Sequence, residues 1–159
     1  MLKKIILSSI FLIPYLVQAQ SPSDEIAMIQ SMYGMEKRKI VTDYMQLPDA
    51  SAAPFWEVYD KYEAERKELG RKRLLLINEY AENYMNLTNE KADQIAKDML
   101  ANSVQFEKLH QKYYAKFKKV TSPLKAAQFL QLETFLQNEI RAAIQEQIPF
   151  IGDLEKIRN

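Results

Sequence analysis

The feature that most constrains the fold is a stretch between positions 55 and 80 in which mostly apolar residues recur alternately four and three positions apart. These positions are Phe55, Tyr59, Tyr62, Arg66, Leu69, Arg73, Leu76 and Tyr80. A 4–3 alternation held for more than three repeats places its members on one side of an α-helix and is typical of long helix-on-helix packing. At 1.5 Å per residue, a helix from Phe55 to about Tyr84 is roughly 45 Å long, so we expect an elongated molecule.

Capping residues and prolines predict the bounds of the first two helices. Ser23 or Asp24 is the expected cap of a first helix that runs to about Tyr44. Its inner face is predicted to contain Ile26, Ile29, Tyr33 and Ile40. Ser51 is the expected N-cap of the second helix, with Pro54 in its first turn, where the missing N–H costs nothing.

Two further helices are predicted after the second. Residues 86–89 interrupt the helical pattern, Thr88 caps a third helix that runs to about Val120, and Pro123 starts a fourth that Pro149 ends. The apolar positions of the third helix are Ala92, Ile95, Met99, Phe106, Leu109, Tyr113, Phe117 and Val120. Those of the fourth are Phe129, Leu132, Leu136, Ile140 and Ala143. The expected fold class is therefore all-α: an elongated helical hairpin or bundle of about four helices with heptad-like seams.

The first nineteen residues have the pattern of a cleaved secretory signal peptide. Lys3 and Lys4 precede an apolar stretch of about 13 residues, and the small residue Ala19 offers a cleavage site that leaves Gln20 as the mature N-terminus. A retained membrane anchor is the alternative, but this apolar stretch is too short to span a bilayer. We therefore expect a periplasmic or secreted protein whose residues 20–159 form a single domain.

Charge and composition narrow the function classes. Loss of residues 1–19 leaves 20 basic and 21 acidic residues, so the mature chain has a formal charge of −1. A near-neutral exported chain is not expected to bind nucleic acid or polyanions in general. The chain has no cysteine, so its stability in an oxidising compartment must come from packing without disulfides. A bacterial envelope protein fits these features; in a secreted eukaryotic protein, Asn86–Thr88 would be a glycosylation sequon.

Few residues offer catalytic or metal chemistry, and we predict neither an enzyme nor a bound cofactor. The single histidine, His110, stands one position off the apolar pattern with no local base partner and is expected to be exposed or at a helix boundary. Met28, Met32 and Met35 share a helix face and could present thioethers to Cu(I). Such a stripe is more typical of packing or of an adaptable contact surface.

The second helix is densely charged. Its carboxylates alternate with lysines and arginines, which is typical of a solvated, salt-bridged face. These carboxylates are Glu63, Glu65, Glu68, Glu79 and Glu82. Arg66 and Arg73 lie on the apolar seam itself, either at the edge of the core or paired with a glutamate of a facing helix such as Glu133 or Glu139. We expect these arginines to fix the register of the helices.

The segment from 108 to 119 is the strongest candidate for a binding surface, because it carries five lysines and three aromatics with no acidic residue. The candidate binding residues are Lys108, Lys112, Tyr113, Tyr114, Lys116, Phe117, Lys118 and Lys119. Basic surfaces with aromatic residues bind unfolded chains, anionic lipid or polysaccharide. In the alternative interpretation the aromatics are buried and the lysines are solvated near a helix C-terminus.

The layout resembles the Spy/CpxP group of periplasmic proteins, whose recurrent motif is Leu-Thr-x-x-Gln. Residues 87–91 (LTNEK) match its first two positions with Lys91 in place of the glutamine, and residues 120–125 (VTSPLK) are a looser second copy. Residues 55–63 and 125–133 also look like uncharacterised exported helical proteins of that broader set, so the resemblance covers roughly residues 47–149.

The resemblance implies a helical hairpin protein, often a curved antiparallel dimer, that acts in envelope stress as an ATP-independent chaperone or as an adaptor for a sensor kinase. We predict a homodimer along the seam from Phe55 to Tyr84. The leading functional prediction is an exported binding protein that holds unfolded or amphipathic clients through the segment 108–119. The alternative is a structural or regulatory adaptor that binds one envelope protein, and peripheral contact with an anionic membrane stays open.

Overall fold

The computed structural model describes residues 36–145 and residue 148, and all its regular elements are helical, which confirms the all-α prediction. Residues 36–45 form α1, and α2 (Asp49–Asn83), α3 (Asn89–Val120) and α4 (Pro123–Gln145) follow. A 3-10 turn, Tyr84–Asn86, separates α2 from α3. The predicted signal peptide, the start of the first helix and the Met28, Met32 and Met35 stripe lie outside the described residues.

Local hydrogen bonds explain where α3 and α4 begin. The Thr88 hydroxyl accepts a hydrogen bond from the backbone N–H of Lys91 at 3.2 Å, which is the predicted N-cap of α3. Pro123 is the first residue of α4, and the Ser122 hydroxyl accepts from the N–H of Lys125 at 3.2 Å. Both starts are as predicted, because each depends on residues within one turn of the boundary.

The predicted start of α2 was wrong by three residues, almost one helical turn. The helix begins at Asp49, because the Pro48 carbonyl accepts the N–H groups of Ser51 and Ala52 at 2.9 and 3.0 Å. The Ser51 hydroxyl donates back to the same carbonyl at 3.2 Å and so does not cap the helix. Pro54 consequently lies beyond the first turn, inside the helix.

α2 and α3 form a long antiparallel hairpin, with α4 and α1 packed on one part of it. α2 has 35 residues and is therefore about 52 Å long. α4 turns back along α3 and covers the hairpin from the α3–α4 turn to Gln145, while α1 adds its own buried face at the same end. The residues buried from α1 are Lys37, Val41 and Met45, whereas Ile40 is 41% exposed, so the predicted inner face of the first helix was wrong at Ile40.

Aromatic rings fill the core where these helices meet. The ring centroids of Phe117 and Phe129 are 4.4 Å apart, and Phe55 lies 5.0 Å from Phe117. Tyr59 and Tyr62 complete the cluster from α2. Edge and tilted contacts of this kind stabilise a core beyond the area they bury, by about 0.5–1.5 kcal/mol per pair.

The heptad seam of α2 is occupied differently in its two halves. Phe55, Tyr59 and Tyr62 are fully buried against α3 and α4 of the same chain. From Leu69 onward the seam residues are only half-buried. The homodimer stays a prediction. Among the seam residues, only those from Leu69 onward are exposed enough to contact a second copy of the chain.

Candidate functional site

The aromatics of the predicted binding segment, residues 108–119, divide between core and surface. Tyr113 and Phe117 are 2% and 1% exposed, and the Tyr113 ring packs at 5.3 Å from Tyr62. Tyr114 is half-buried. The structure thus places two of the three rings inside the bundle, where a partner cannot reach them, because they occupy the heptad positions that face α2.

The lysines of the segment lie on the surface, and only one of them has an acidic partner within the described range. Lys112 Nζ lies 2.7 Å from both carboxylate oxygens of Glu65, and the Tyr113 hydroxyl donates to the same carboxylate at 2.8 Å. The hydrogen bond from Lys112 lowers the pKa of Glu65, while burial and the bond to Glu65 raise the pKa of Tyr113 to about 12. Lys116 lies 4.4 Å from the Tyr113 ring centroid without an ion pair in this range.

The lysines that are spaced by a turn share one face of α3. Lys108, Lys112, Lys116 and Lys119 follow at intervals of four, four and three residues. Lys118 points to the other side, where its ammonium lies 5.8 Å from the Tyr114 ring centroid. The candidate segment therefore presents a basic strip on one face of the hairpin.

That face carries a groove between α2 and α3 that no residue of α4 lines. Two adjoining cavities of about 400 and 350 Å³ share Leu69 and Gln105, and Lys108 and Lys112 stand at the rim of the second. The apolar and amide side chains of the first cavity include Leu69, Leu75, Leu76, Ala101, Asn102 and Gln105. We call this surface the open groove. The open groove lies beside the basic strip, and it includes an exposed apolar side chain, since Leu75 is 38% exposed.

The opposite face of the hairpin carries a second groove, of about 360 Å³, that the end of α4 helps to form. Its apolar side chains include Leu76, Ile77, Ile95, Met99, Ile144 and Ile148. Arg73 and Arg141 also line it, so we call it the arginine groove. Sequence reasoning selected Arg73 as a seam residue but gave no indication of its proximity to Arg141, because the two lie 68 positions apart.

The second seam arginine, Arg66, belongs to a buried ionic cluster between α1, α2 and α4. Lys37 Nζ lies 2.8 Å from Glu63 and 2.7 Å from Glu133, and it stands 5.5 Å from the Tyr62 ring centroid. Arg66 forms two hydrogen bonds to Glu63, at 2.9 and 2.7 Å, and its Nε lies 4.0 Å from Glu133. The predicted pairing of Arg66 with Glu133 is thus present, although Glu63 on its own helix is the nearer partner.

The cluster contains two basic side chains, Lys37 and Arg66, and two carboxyl side chains, Glu63 and Glu133, so its formal charges balance. Burial alone raises the pKa of the Glu63 carboxyl, but the hydrogen bonds and charges of Arg66 and Lys37 outweigh it and hold that pKa below its ordinary value. The same carboxylate raises the pKa of Arg66 against the effect of burial. Removal of one member of the cluster would leave a charge uncompensated in the core.

His110 is buried beside this cluster, so the prediction of an exposed or boundary histidine was wrong. It is 8% exposed, and its Nε2 lies 3.3 Å from the amide nitrogen of Gln137, which in turn donates to Glu133 at 3.3 Å. Burial lowers the pKa of His110, with Glu107 and Glu133 opposing that shift. The His110 ring also stacks on Tyr62, with the ring centroids 6.4 Å apart, so its observed contacts are those of the core.

Sequence reasoning missed Lys37, although a signal for it existed. The spacing of four residues places Lys37 on the same helix face as Val41 and Met45. That face is otherwise apolar, which was a signal that Lys37 is buried. Nothing local, however, identified its two carboxylate partners, which come from α2 and α4.

Comparisons with protein-family models, with curated proteins and with solved structures give no match. Within residues 36–145, no group of three or more histidine or carboxylate side chains is placed to hold a metal ion. None of the helices in this part of the chain combines the length and apolar character that a membrane span requires.

Proposed function

We propose that this protein is an exported, ATP-independent binding protein that holds unfolded, apolar segments of client proteins in the open groove. The observation that carries the proposal is the combination, on one face of α2 and α3, of exposed leucine with lysines that lack acidic partners in the described range. Tyr113 and Phe117 were predicted to contact clients, but both rings are buried. In this proposal the open groove, which lies beside the basic strip, contacts the client instead.

The dimensions of the open groove suit a short peptide segment. Its lining on α3 extends from Asp98 to Lys112, which is about 21 Å along the helix axis. At ~3.3 Å per residue this length accommodates about six extended residues. A shallow, unenclosed groove of this size favours weak and reversible binding, which is what transient holding of many different clients needs.

The charges give the groove a second means of attraction. Lys72 and Lys108 line the groove without an ion pair among the described residues, and so does Asp98. The other carboxylates of the lining are each paired, Glu65 with Lys112, Glu68 with Arg71 and Glu79 with Lys91. The uncompensated charge at the rim is therefore positive by one unit. It would capture clients at long range before leucine contacts hold them, and the capture step should weaken with salt.

Aggregation of a chemically reduced model client, measured by light scattering without ATP, tests the proposal. We expect residues 20–159 to suppress scattering at near-stoichiometric amounts. Lys72→Gln with Lys108→Gln, which removes the two lysines that line the groove without an ion pair, should raise the amount needed several-fold. Lys39→Gln with Lys118→Gln removes the same charge from positions outside the open groove and should behave as the wild type.

A second pair of variants tests the apolar part of the open groove. Leu75→Ser should weaken suppression, whereas Leu100→Ser, at a 68% exposed position that does not line the groove, should not. If the groove variant and its control lose the same amount of aggregation suppression, in both the lysine and the leucine comparison, the assignment of the site is refuted. No suppression by the folded wild type would refute the chaperone function, and a single stoichiometric partner in an envelope pull-down would then support the adaptor alternative.

A further inference from the structure

The arginine groove combines two cationic side chains with an aliphatic lining. Arg73 donates to the Ser103 hydroxyl at 3.3 Å, and the guanidinium carbon of Arg141 lies 5.6 Å from the Phe106 ring centroid. Neither guanidinium forms an ion pair with a carboxylate of the described residues, and each is half-buried. Every other arginine of residues 36–145 does form such a pair.

Two half-buried guanidinium groups at one groove favour an anion there. Burial and the positive charge of Arg141 lower the pKa of Arg73, so the groove holds cationic charge without local compensation. A planar guanidinium presents several N–H donors in a fixed fork that matches a carboxylate. One carboxylate between Arg73 and Arg141 would relieve the repulsion and accept hydrogen bonds from both.

The remainder of the groove suits a hydrocarbon chain. Its walls are formed by leucine, isoleucine and methionine side chains of α2, α3 and the end of α4. The volume of about 360 Å³ is at the lower end of the ~300–1,000 Å³ typical of small-molecule sites. From Arg73 to Tyr80 the groove extends about 10 Å along the axis of α2, a length that suits a medium hydrocarbon chain.

We propose that the arginine groove binds a medium-chain fatty carboxylate, with its head group between Arg73 and Arg141 and its chain against the isoleucines of α2, α3 and α4. The two grooves open on different sides of the hairpin and share one lining residue, Leu76, so the arginine groove can be tested in the absence of any client. The same chain would therefore carry two separate binding surfaces, one for polypeptide and one for a small amphiphile.

Isothermal titration calorimetry of residues 20–159 with dodecanoate, below its micelle concentration, tests this site. We expect saturable binding with one site per chain, no measurable binding of acetate, and binding of dodecanol at least tenfold weaker than that of dodecanoate. Arg73→Gln with Arg141→Gln should weaken dodecanoate binding at least tenfold and leave dodecanol binding unchanged. Arg38→Gln with Arg71→Gln is the matched control, because both arginines are exposed partners of surface carboxylates.

A second variant fills the groove without changing its charge. Ile144→Trp should abolish dodecanoate binding while both arginines remain, and urea unfolding of each variant verifies that it folds. Equal affinity for dodecanoate and dodecanol, or equal loss in the two arginine pairs, would overturn the proposal. Absence of binding to residues 20–159 would also overturn it; binding that appears only in a chain ending at Ile148 would show that residues 149–159 occupy the groove instead.

Discussion

Replacement of Lys37 by methionine is the most direct test of the buried ionic cluster. The Lys37 side chain is 1% exposed and lies within 2.8 Å of two carboxylates, Glu63 and Glu133. Methionine has a similar length and no charge, so it fills the same space between the Tyr59 and Tyr62 rings. Glu63 keeps its two hydrogen bonds from Arg66, but Glu133 loses its ammonium partner and keeps more distant contacts, with Arg66 at 4.0 Å and the Gln137 amide at 3.3 Å.

The expected loss of stability follows from the carboxylate charge that Lys37→Met leaves without its partner. Removal of one partner from a buried ion pair costs about 3–5 kcal/mol, because the other charge stays in the core without compensation. The free energy of unfolding of a whole domain is only about 5–15 kcal/mol. At ~2–5 °C per kcal/mol, we expect Lys37→Met to lower the melting temperature by about 6–25 °C.

Urea unfolding at pH 7, followed by far-ultraviolet circular dichroism, measures this effect together with two comparisons. Lys39→Met, at a side chain that is 78% exposed on the same helix, should change the unfolding free energy by no more than about 0.5 kcal/mol. Lys37→Met with Glu133→Gln restores the charge balance, since Glu63 and Arg66 remain paired. This double variant should be more stable than Lys37→Met alone by about 1 kcal/mol or more.

Two results would refute the reasoning. If Lys37→Met costs no more than Lys39→Met, the ammonium does not sit between the two carboxylates in solution. If the added Glu133→Gln change lowers stability further, the uncompensated charge of Glu133 is not what destabilises the single variant. The slope of unfolding against urea should stay constant across the set, because a change in slope would indicate an altered folded or unfolded state.

Two further predictions concern the aromatic core and the single histidine. Phe117→Ala should lower the free energy of unfolding by about 3–5 kcal/mol, because the ring is buried among four others. Leu100→Ala, at a 68% exposed position, should lower it by under ~0.5 kcal/mol. Similar losses in the two variants would contradict the assigned core. Because burial lowers the pKa of His110 below its ordinary ~6.5, the unfolded chain binds a proton that the folded chain does not, so stability falls as pH decreases below about 6.5. The loss occurs between the unfolded and folded pKa values of His110 and should be absent in His110→Gln. Chemical unfolding of both proteins at pH 7.5 and 5.5 measures it, and parallel losses would show that His110 is not the group responsible.

The candidate site was only partly predictable from the sequence. The lysines of segment 108–119 were identified by composition, and their spacing by a turn places four of them on one face of α3. Their neighbours in the open groove come from α2, so the groove itself required the packing of the hairpin. The arginine groove could not be predicted from the sequence, because Arg73 and Arg141 come together only when α4 packs back along the hairpin.

The sequence by itself determined the features that depend on neighbouring residues. Thr88 caps α3 and Pro123 starts α4 because each acts within one helical turn, and the 4–3 spacing places Phe55, Tyr59 and Tyr62 on a single buried stripe. These are consequences of backbone hydrogen bonding and helical periodicity, which need no knowledge of the rest of the chain.

Only the tertiary structure decided which of several adjacent stripes each helix buries and what lies against it. In α1 the buried stripe contains Lys37 rather than Ile40, because two carboxylates from other helices compensate the ammonium there. Arg66 is paired with Glu63 of its own helix and also lies 4.0 Å from Glu133 of α4. Arg73 occupies the equivalent position of the next repeat and has no carboxylate partner in the described residues. Burial of a charge depends on groups brought together from distant parts of the chain, and a local pattern carries no information about them.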